Sequence, residues 1–183
     1  MFVTEMRCAA SAPSTLLAPR WSALAVVKDA DGERVTPVVD GTTIIVTRSG
    51  GISALDADTG TELWSTHDVF DPVGAGPIVY ANRQSAPPVS GNIGLTALDV
   101  RDGHELWSRP EAGGTLAADD TGVVVGNSKG IARYASDGTQ RWNSGQGGGY
   151  RRLVVNEQYV VGLSVRSGAI LHGEIESIER RTS

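Results

Sequence analysis

Few stretches of this sequence could do chemistry. Asp29–Glu33 reads DADGE, with alternating acids around a glycine, and Asp56–Gly60 reads DADTG. Both resemble the start of a calcium loop. Such a loop surrounds its ion with about six to eight oxygens and ends on a late bidentate glutamate. Neither stretch supplies that set, and Lys28 offsets the charge of the first, so both read as polar hairpin turns. His67, His104 and His172 lack the paired spacing on a strand that makes metal ligands converge. Gly126-Asn127-Ser128-Lys129-Gly130 spells Gly-x-Ser-x-Gly, but no helical pattern follows it, so it reads as a turn and not as a nucleophile elbow. Cys8 is the single cysteine, which excludes an internal disulfide and a thiolate cluster. These residues predict no catalytic, cofactor-binding or metal-binding site, and no cofactor.

Composition narrows the partners. The 183 residues are 40% apolar and 20% charged, with a net charge of −5. That balance fits a folded chain with one ordinary core. It argues against nucleic acid held on a basic surface and against docking on anionic lipid. No window approaches the ~20 apolar residues of a membrane span. The opening MFVTEMR has no apolar run of the kind that a signal peptide or lipoprotein anchor needs.

What organises the chain is its tryptophans: Trp21-Ser22, Trp64-Ser65, Trp107-Ser108 and Trp142-Asn143. The first two intervals are 43 residues each and the third is 35. A period of this size marks a solenoid or a propeller. The phrase ALDADTGTELWS at Ala54–Ser65 returns as ALDVRDGHELWS at Ala97–Ser108. Before Trp64, Val- and Ile-rich runs are cut by Asp40-Gly41, Gly50-Gly51 and Thr59-Gly60. That pattern predicts strands over Val38-Val39, Thr43–Thr47, Ile52–Asp56 and Glu62–Ser65, a four-stranded antiparallel meander. The chain reads as all-β, built from propeller blades.

Within the phrase, Asp56 can accept bonds from turn amides, and Gly60, Gly103 and Gly138 supply the hairpin's positive φ. Trp64 and its counterparts Trp21, Trp107 and Trp142 are docking pegs, each burying a ring against the neighbouring blade while its N–H seeks an acceptor.

The pattern Ala54-x-Asp56-x-x-Thr59-Gly60-x-Glu62-x-Trp64 resembles the tryptophan-docking repeat of pyrroloquinoline-quinone-like β-propellers. Ala97-x-Asp99 with Gly103-x-Glu105-x-Trp107 is a second match, and Gly138–Trp142 is a reduced third. The resemblance runs over roughly residues 36–171. It implies blades of a ring that is commonly eight-bladed, in a family of quinoprotein dehydrogenases and non-enzymatic envelope proteins, and it suggests an extracytoplasmic location. The dehydrogenases hold their quinone over a Trp, bind calcium through Glu, Asn and Asp, and often carry a vicinal disulfide. No such ligand set or Cys pair is matched here, so the resemblance implies a non-catalytic scaffold or protein-interaction module. The alternative is a propeller that binds a small ligand or quinone, whole or as part of a dehydrogenase.

Blades are expected over 36–65, 73–108, 114–143 and 152–178, after an unordered tail at 1–15. The fourth copy carries no Trp. Residues 16–22 are a candidate closing strand that completes it. Three arrangements stay open: a closed four-bladed ring, a homodimer completing an eight-bladed ring, and a fragment of a longer propeller. The second copy carries the insertion NRQSAPPVSGN, whose adjacent prolines place it in a loop. Arg83, Gln84 and Asn92 are the candidate contacts there for an unidentified protein partner.

Overall fold

The computed structural model describes residues 3–7, 22–26, 38–84, 93–145, 148–155, 159–165 and 173–179. All of its regular elements are strands. Sheet I comprises β3 (Val38–Asp40), β4 (Thr43–Arg48), β5 (Gly51–Asp56) and β6 (Glu62–His67), paired antiparallel in that order. A hairpin of β1 (Val3–Arg7) and β2 (Ser22–Val26) precedes it. Sheet II holds β7 (Val69–Ala75), β8 (Ile78–Gln84), β9 (Ile93–Asp99) and β10 (Glu105–Arg109). Sheet III holds β11 (Thr115–Asp119), β12 (Gly122–Asn127), β13 (Gly130–Ala135) and β14 (Gln140–Asn143). Sheet IV has three strands: β15 (Tyr150–Val155), β16 (Tyr159–Val165) and β17 (Gly173–Glu179). These meanders are propeller blades, and their first strands neighbour one another from sheet to sheet.

Three layers of apolar side chains join the blades. Ile45, Ile52 and Ala54 of sheet I meet Val69, Val79, Ala81 and Leu98 of sheet II. Tyr80, Leu95 and Ala97 meet Val123, Val125, Ala132 and Tyr134 of sheet III. Ala117, Val124 and Ile131 meet Tyr150, Leu153 and Val160 of sheet IV. Successive side chains on a strand point to opposite faces, so a central blade must be apolar on both. That is why GVVVGN at Gly122–Asn127 and GISALD at Gly51–Asp56 run nearly continuously buried.

Two local expectations change. Sheet II starts at Val69, four residues before the expected boundary, because a single residue, Asp68, links β6 to β7. Pro72 lies inside β7, the terminal strand of its sheet, at a register shift between Phe70 and Val73. A terminal strand tolerates the missing N–H there. Near the N-terminus, β1 occupies part of the segment expected as an unordered tail. The candidate closing strand at 16–22 lies outside the described residues except for Ser22. From Ser22 onward β2 pairs with β1 rather than with β17.

Candidate functional site

A four-stranded meander sends its first and third hairpins to one end. Its second hairpin and its crossing to the next blade go to the other. The repeated phrase therefore lies at the first end. There Asp56 Oδ1 accepts from the amides of Asp58 (3.0 Å) and Thr59 (2.7 Å) and from the Thr59 hydroxyl (2.8 Å). Asp137 accepts from the Thr139 amide at 2.8 Å. Asp99 takes the Arg101 guanidinium at 3.0 and 2.6 Å and the Arg101 amide at 2.9 Å. These donors favour the ionised carboxylate. The Thr59 hydroxyl holds Asp56 below its ordinary pKa, and the Thr139 amide does the same for Asp137. The Arg101 side chain brings Asp99 down to about 2.

The tryptophans dock at this end too. The Trp64 indole N–H donates to Val100 O at 2.9 Å, in the next blade. A Cβ on Gly103 would lie 2.5 Å from the Trp64 ring, and Gly103 has φ +72°. Trp107 repeats the arrangement one blade on, donating to Ser136 O at 2.7 Å over Gly138, whose φ is +79°. Tyr80 and Tyr134 flank Trp107 at centroid distances of 5.8 and 6.4 Å. Arg109 lies over the Trp107 ring and donates to Gly138 O at 2.8 Å. Burial, with Asp119 nearby, pushes the Tyr80 phenol up to about 12. Trp142 packs against the third apolar layer. Gly60 has φ +72° in the corresponding turn of sheet I, and Trp21 lies outside the described residues.

The glutamate of the phrase has a separate partner. Glu62 pairs with Arg48 at 3.1 Å and Glu105 with Arg83 at 2.8 Å, each a strut from the fourth strand of a blade to its second. Arg83 is thus tied inside β8, where Gln84 is the exposed last residue. Asn92 and the rest of the inserted loop lie outside the described residues. Cys8, His172 and the 29–33 turn also lie outside them. His67 and His104 are exposed. Ligand atoms of Asp99, Asp102 and His104 come within 4.8 Å of one another. Asp99 is already bonded to Arg101, and Asp102 to the His104 amide at 3.0 Å, as in an ordinary polar turn.

The other end carries a cleft of about 630 Å³, framed by the starts of β7, β11 and β15. Phe70, Pro72, Leu116 and Tyr150 supply apolar surface, and Asp71 and Arg151 supply charge. Buried Asn82 fixes its geometry. Its amide donates to Gly114 O at 2.8 Å and accepts from Gly114 N at 2.9 Å, so one side chain binds sheet II to the entry of β11. The Thr115 hydroxyl donates to Tyr150 O, which ties β11 to β15. Asp68 and Glu111 on the crossings, and Asp71 at the register shift inside β7, adopt positive φ at this end. Lys129 and Glu111, 3.4 Å apart, stand at the rim. Asn82 and Ile93, from the strands that flank the inserted loop, both line the cleft.

Sequence reasoning missed the cleft, because it gathers short segments that lie far apart in sequence and share no motif. The only sequence signal was the paired glycines Gly113-Gly114 and Gly148-Gly149 at the crossings. Among the described residues, no helix is long and apolar enough to cross a membrane.

Residues 18–172 match the family described as outer membrane protein assembly factor BamB. No curated protein matches. A europium-containing methanol dehydrogenase is 15% identical with a TM-score of 0.54, covering 90% of this chain and 46% of that one. The S. cerevisiae complex of dbp5 with nup159 and gle1 contains a chain that is 10% identical with a TM-score of 0.58, at 91% and 47% coverage. BamB from Moraxella catarrhalis is 17% identical with a TM-score of 0.41, at 80% and 61% coverage. The chain therefore spans less than two thirds of each of these proteins.

Proposed function

Because this chain belongs to the BamB family of PQQ-like β-propellers, we propose that it is a non-catalytic interaction module whose protein partner docks at the crossing end. The observation that carries this reading is the cleft itself, built by three blades and held by the Asn82–Gly114 pair. Loops on a rigid scaffold are where recognition concentrates. The ionisable side chains of the lining are Asp71, Tyr150 and Arg151, which supply no nucleophile-and-base pair.

The test is site-specific photocrosslinking in cells. A photoreactive side chain at Ser128, exposed on the cleft lining, is expected to capture a protein partner. The same group at Asp58, exposed at the opposite end, is expected to capture none. Equal labelling from both positions, or none from Ser128, refutes the reading.

Cleft volume favours a second reading, since pockets for small ligands run about 300–1,000 Å³. A calcium-held quinone does not fit the lining, which offers Asp71 as its sole carboxylate where calcium takes about six to eight oxygens. A small planar ligand would instead lie against Phe70 and Tyr150. No described tryptophan lines the cleft, so binding should be sought by calorimetry with a panel of quinones. Stoichiometric heat that Phe70→Ala abolishes would favour this alternative.

A further inference from the structure

We propose that the partner docking at the crossing end presents a short peptide segment in which an acidic and a basic side chain flank an apolar one, the acid meeting Arg151 and the base meeting Asp71. The proposal rests on the protein-docking reading of the cleft and adds the chemistry of what enters it. The pairing of the first strands breaks at two places. β3 and β11 pair one for one with the strands beside them. In β15, Tyr150 stands opposite Ser164 and Arg152 opposite Leu163, so Arg151 is an extra residue. In β7, Phe70 stands opposite Asn82 and Val73 opposite Tyr80, so Asp71 and Pro72 share the place facing Ala81. The fourth-strand shifts of sheets I to III recur with the repeated phrase. These two first-strand shifts do not, and both fall in the lining of the cleft. A regular strand sends successive side chains to opposite faces, and a bulge re-aims one of them.

The charged side chains of the lining are Asp71 and Arg151, so each comes from one of the two bulges. Both are exposed. They stand on either side of β11, which neighbours β7 and β15. Asn82 Nδ2 steadies the Asp71 carboxylate at 3.4 Å, and Asp71 holds a φ of +52°. Non-glycine residues in that region cluster at ligand clamps. Arg151 enters no ion pair among the described residues, whereas Lys129 at the rim is met by Glu111. A cation and an anion are thus placed in one cleft without neutralising each other.

Phe70, Leu116 and Tyr150 give the same cleft its apolar surface. A segment that carries its charges in the reverse order meets both groups at once and lays its apolar side chain on that surface. Turned end for end, it would set like charges together on both sides, so the pair fixes the direction in which the segment runs. A ligand of one sign is attracted by one group and repelled by the other, and an uncharged planar ligand engages neither. The occupant these groups select is a zwitterionic stretch of peptide.

A phage-displayed library of random nonapeptides, selected on the intact immobilised chain, tests this. The wild-type protein should enrich peptides in which Asp or Glu and Lys or Arg flank an apolar residue. Arg151→Gln should lose the acid from the selected peptides, and Asp71→Asn should lose the base. Both positions are exposed, and Asn tolerates positive φ and keeps an oxygen for Asn82. Circular dichroism checks that each variant is folded. The best wild-type peptide, labelled with fluorescein, should bind each variant about fivefold more weakly by anisotropy. Selected peptides without the charge pair, the same peptides from all three proteins, or no enrichment would each overturn the proposal. In cells, Arg151→Gln should also lower the capture yield from Ser128. A yield that Arg151→Gln leaves unchanged refutes the peptide chemistry alone, whereas no capture from Ser128 in the wild-type background refutes the docking reading itself.

Discussion

Adding one methyl group at Gly103 should cost far more than the same methyl on other turn glycines, and the excess should vanish when Trp64 is removed. At φ +72°, any side chain at Gly103 pays for the left-handed backbone, about 1–2 kcal/mol. The new Cβ would also lie 2.5 Å from Cε3, 2.6 Å from Cδ2 and 3.1 Å from Cγ of Trp64. The indole has little freedom to withdraw, since its N–H is fixed to Val100 O at 2.9 Å. Overpacking of this kind adds about 1–3 kcal/mol. Gly103→Ala should therefore destabilise the chain by about 2–5 kcal/mol, a large share of a typical domain's total. Gly50 is the control. Its φ is +84° and nothing lies within 4 Å of its added Cβ, so Gly50→Ala should cost only the backbone share, about 1–2 kcal/mol. Urea midpoints followed by circular dichroism give both numbers. In a Trp64→Ala background the Gly103→Ala penalty should fall to that of Gly50→Ala, leaving a coupling of about 1–3 kcal/mol. If Gly103→Ala proves no worse than Gly50→Ala, or keeps its full penalty without Trp64, the peg-and-glycine account is wrong.

Further outcomes follow from other contacts. Asn82→Ala removes both bonds to Gly114 and should cost about 1–3 kcal/mol. It should also speed amide exchange at Gly114, and unchanged exchange there would count against the clamp. Acid should destabilise the fold between about pH 4 and pH 2. Asp56, Asp99 and Asp137 have folded pKa values below the unfolded value of about 3.9, so their contribution is full above that value and is lost as pH falls through the folded ones, about 2 for Asp99. Asp99→Asn should flatten the urea-midpoint profile, and a wild-type profile already flat over that window would contradict the turn electrostatics. The alkaline limb has its own marker. Tyr80 ionises near 12 when folded and near 10 when unfolded, so stability should decline as pH rises through that interval and Tyr80→Phe should lessen the decline. The partly exposed Arg83–Glu105 strut should show a double-mutant coupling below about 1 kcal/mol, weakened by salt.

The fold was legible because its signals are local and repeated. Asp40-Gly41 and Gly50-Gly51 punctuate sheet I where the structure turns, and the strands between them fall within two residues of where the pattern puts them. The start of sheet II was not legible. β6 passes to β7 through Asp68 alone, and β7 contains Pro72 and a register shift, so neither a turn cluster nor an alternation announced it. The cleft was invisible for a different reason. Phe70, Asn82, Thr115 and Tyr150 are separated in sequence, and only closing three blades side by side gathers them. The struts show an intermediate case. Glu62 and Glu105 stand in the repeated phrase, but their partners Arg48 and Arg83 lie on second strands, where no shared motif marks them.

The floor and the hydrogen-bond acceptor that receive Trp64 and Trp107 are main chain. Trp64 rests on Gly103 and donates to the carbonyl of Val100. Trp107 rests on Gly138 and donates to the carbonyl of Ser136. A floor and an acceptor that need only a glycine and a carbonyl discriminate little among blades, and they face one way along the chain. Each unit therefore joins its successor under a generic rule of assembly. Blades can be duplicated, deleted or exchanged between relatives without matched changes at the joint, provided the turn keeps its glycine. An architecture of this sort enlarges by copying units, and its joints leave the crossing end free to diverge from one copy to the next.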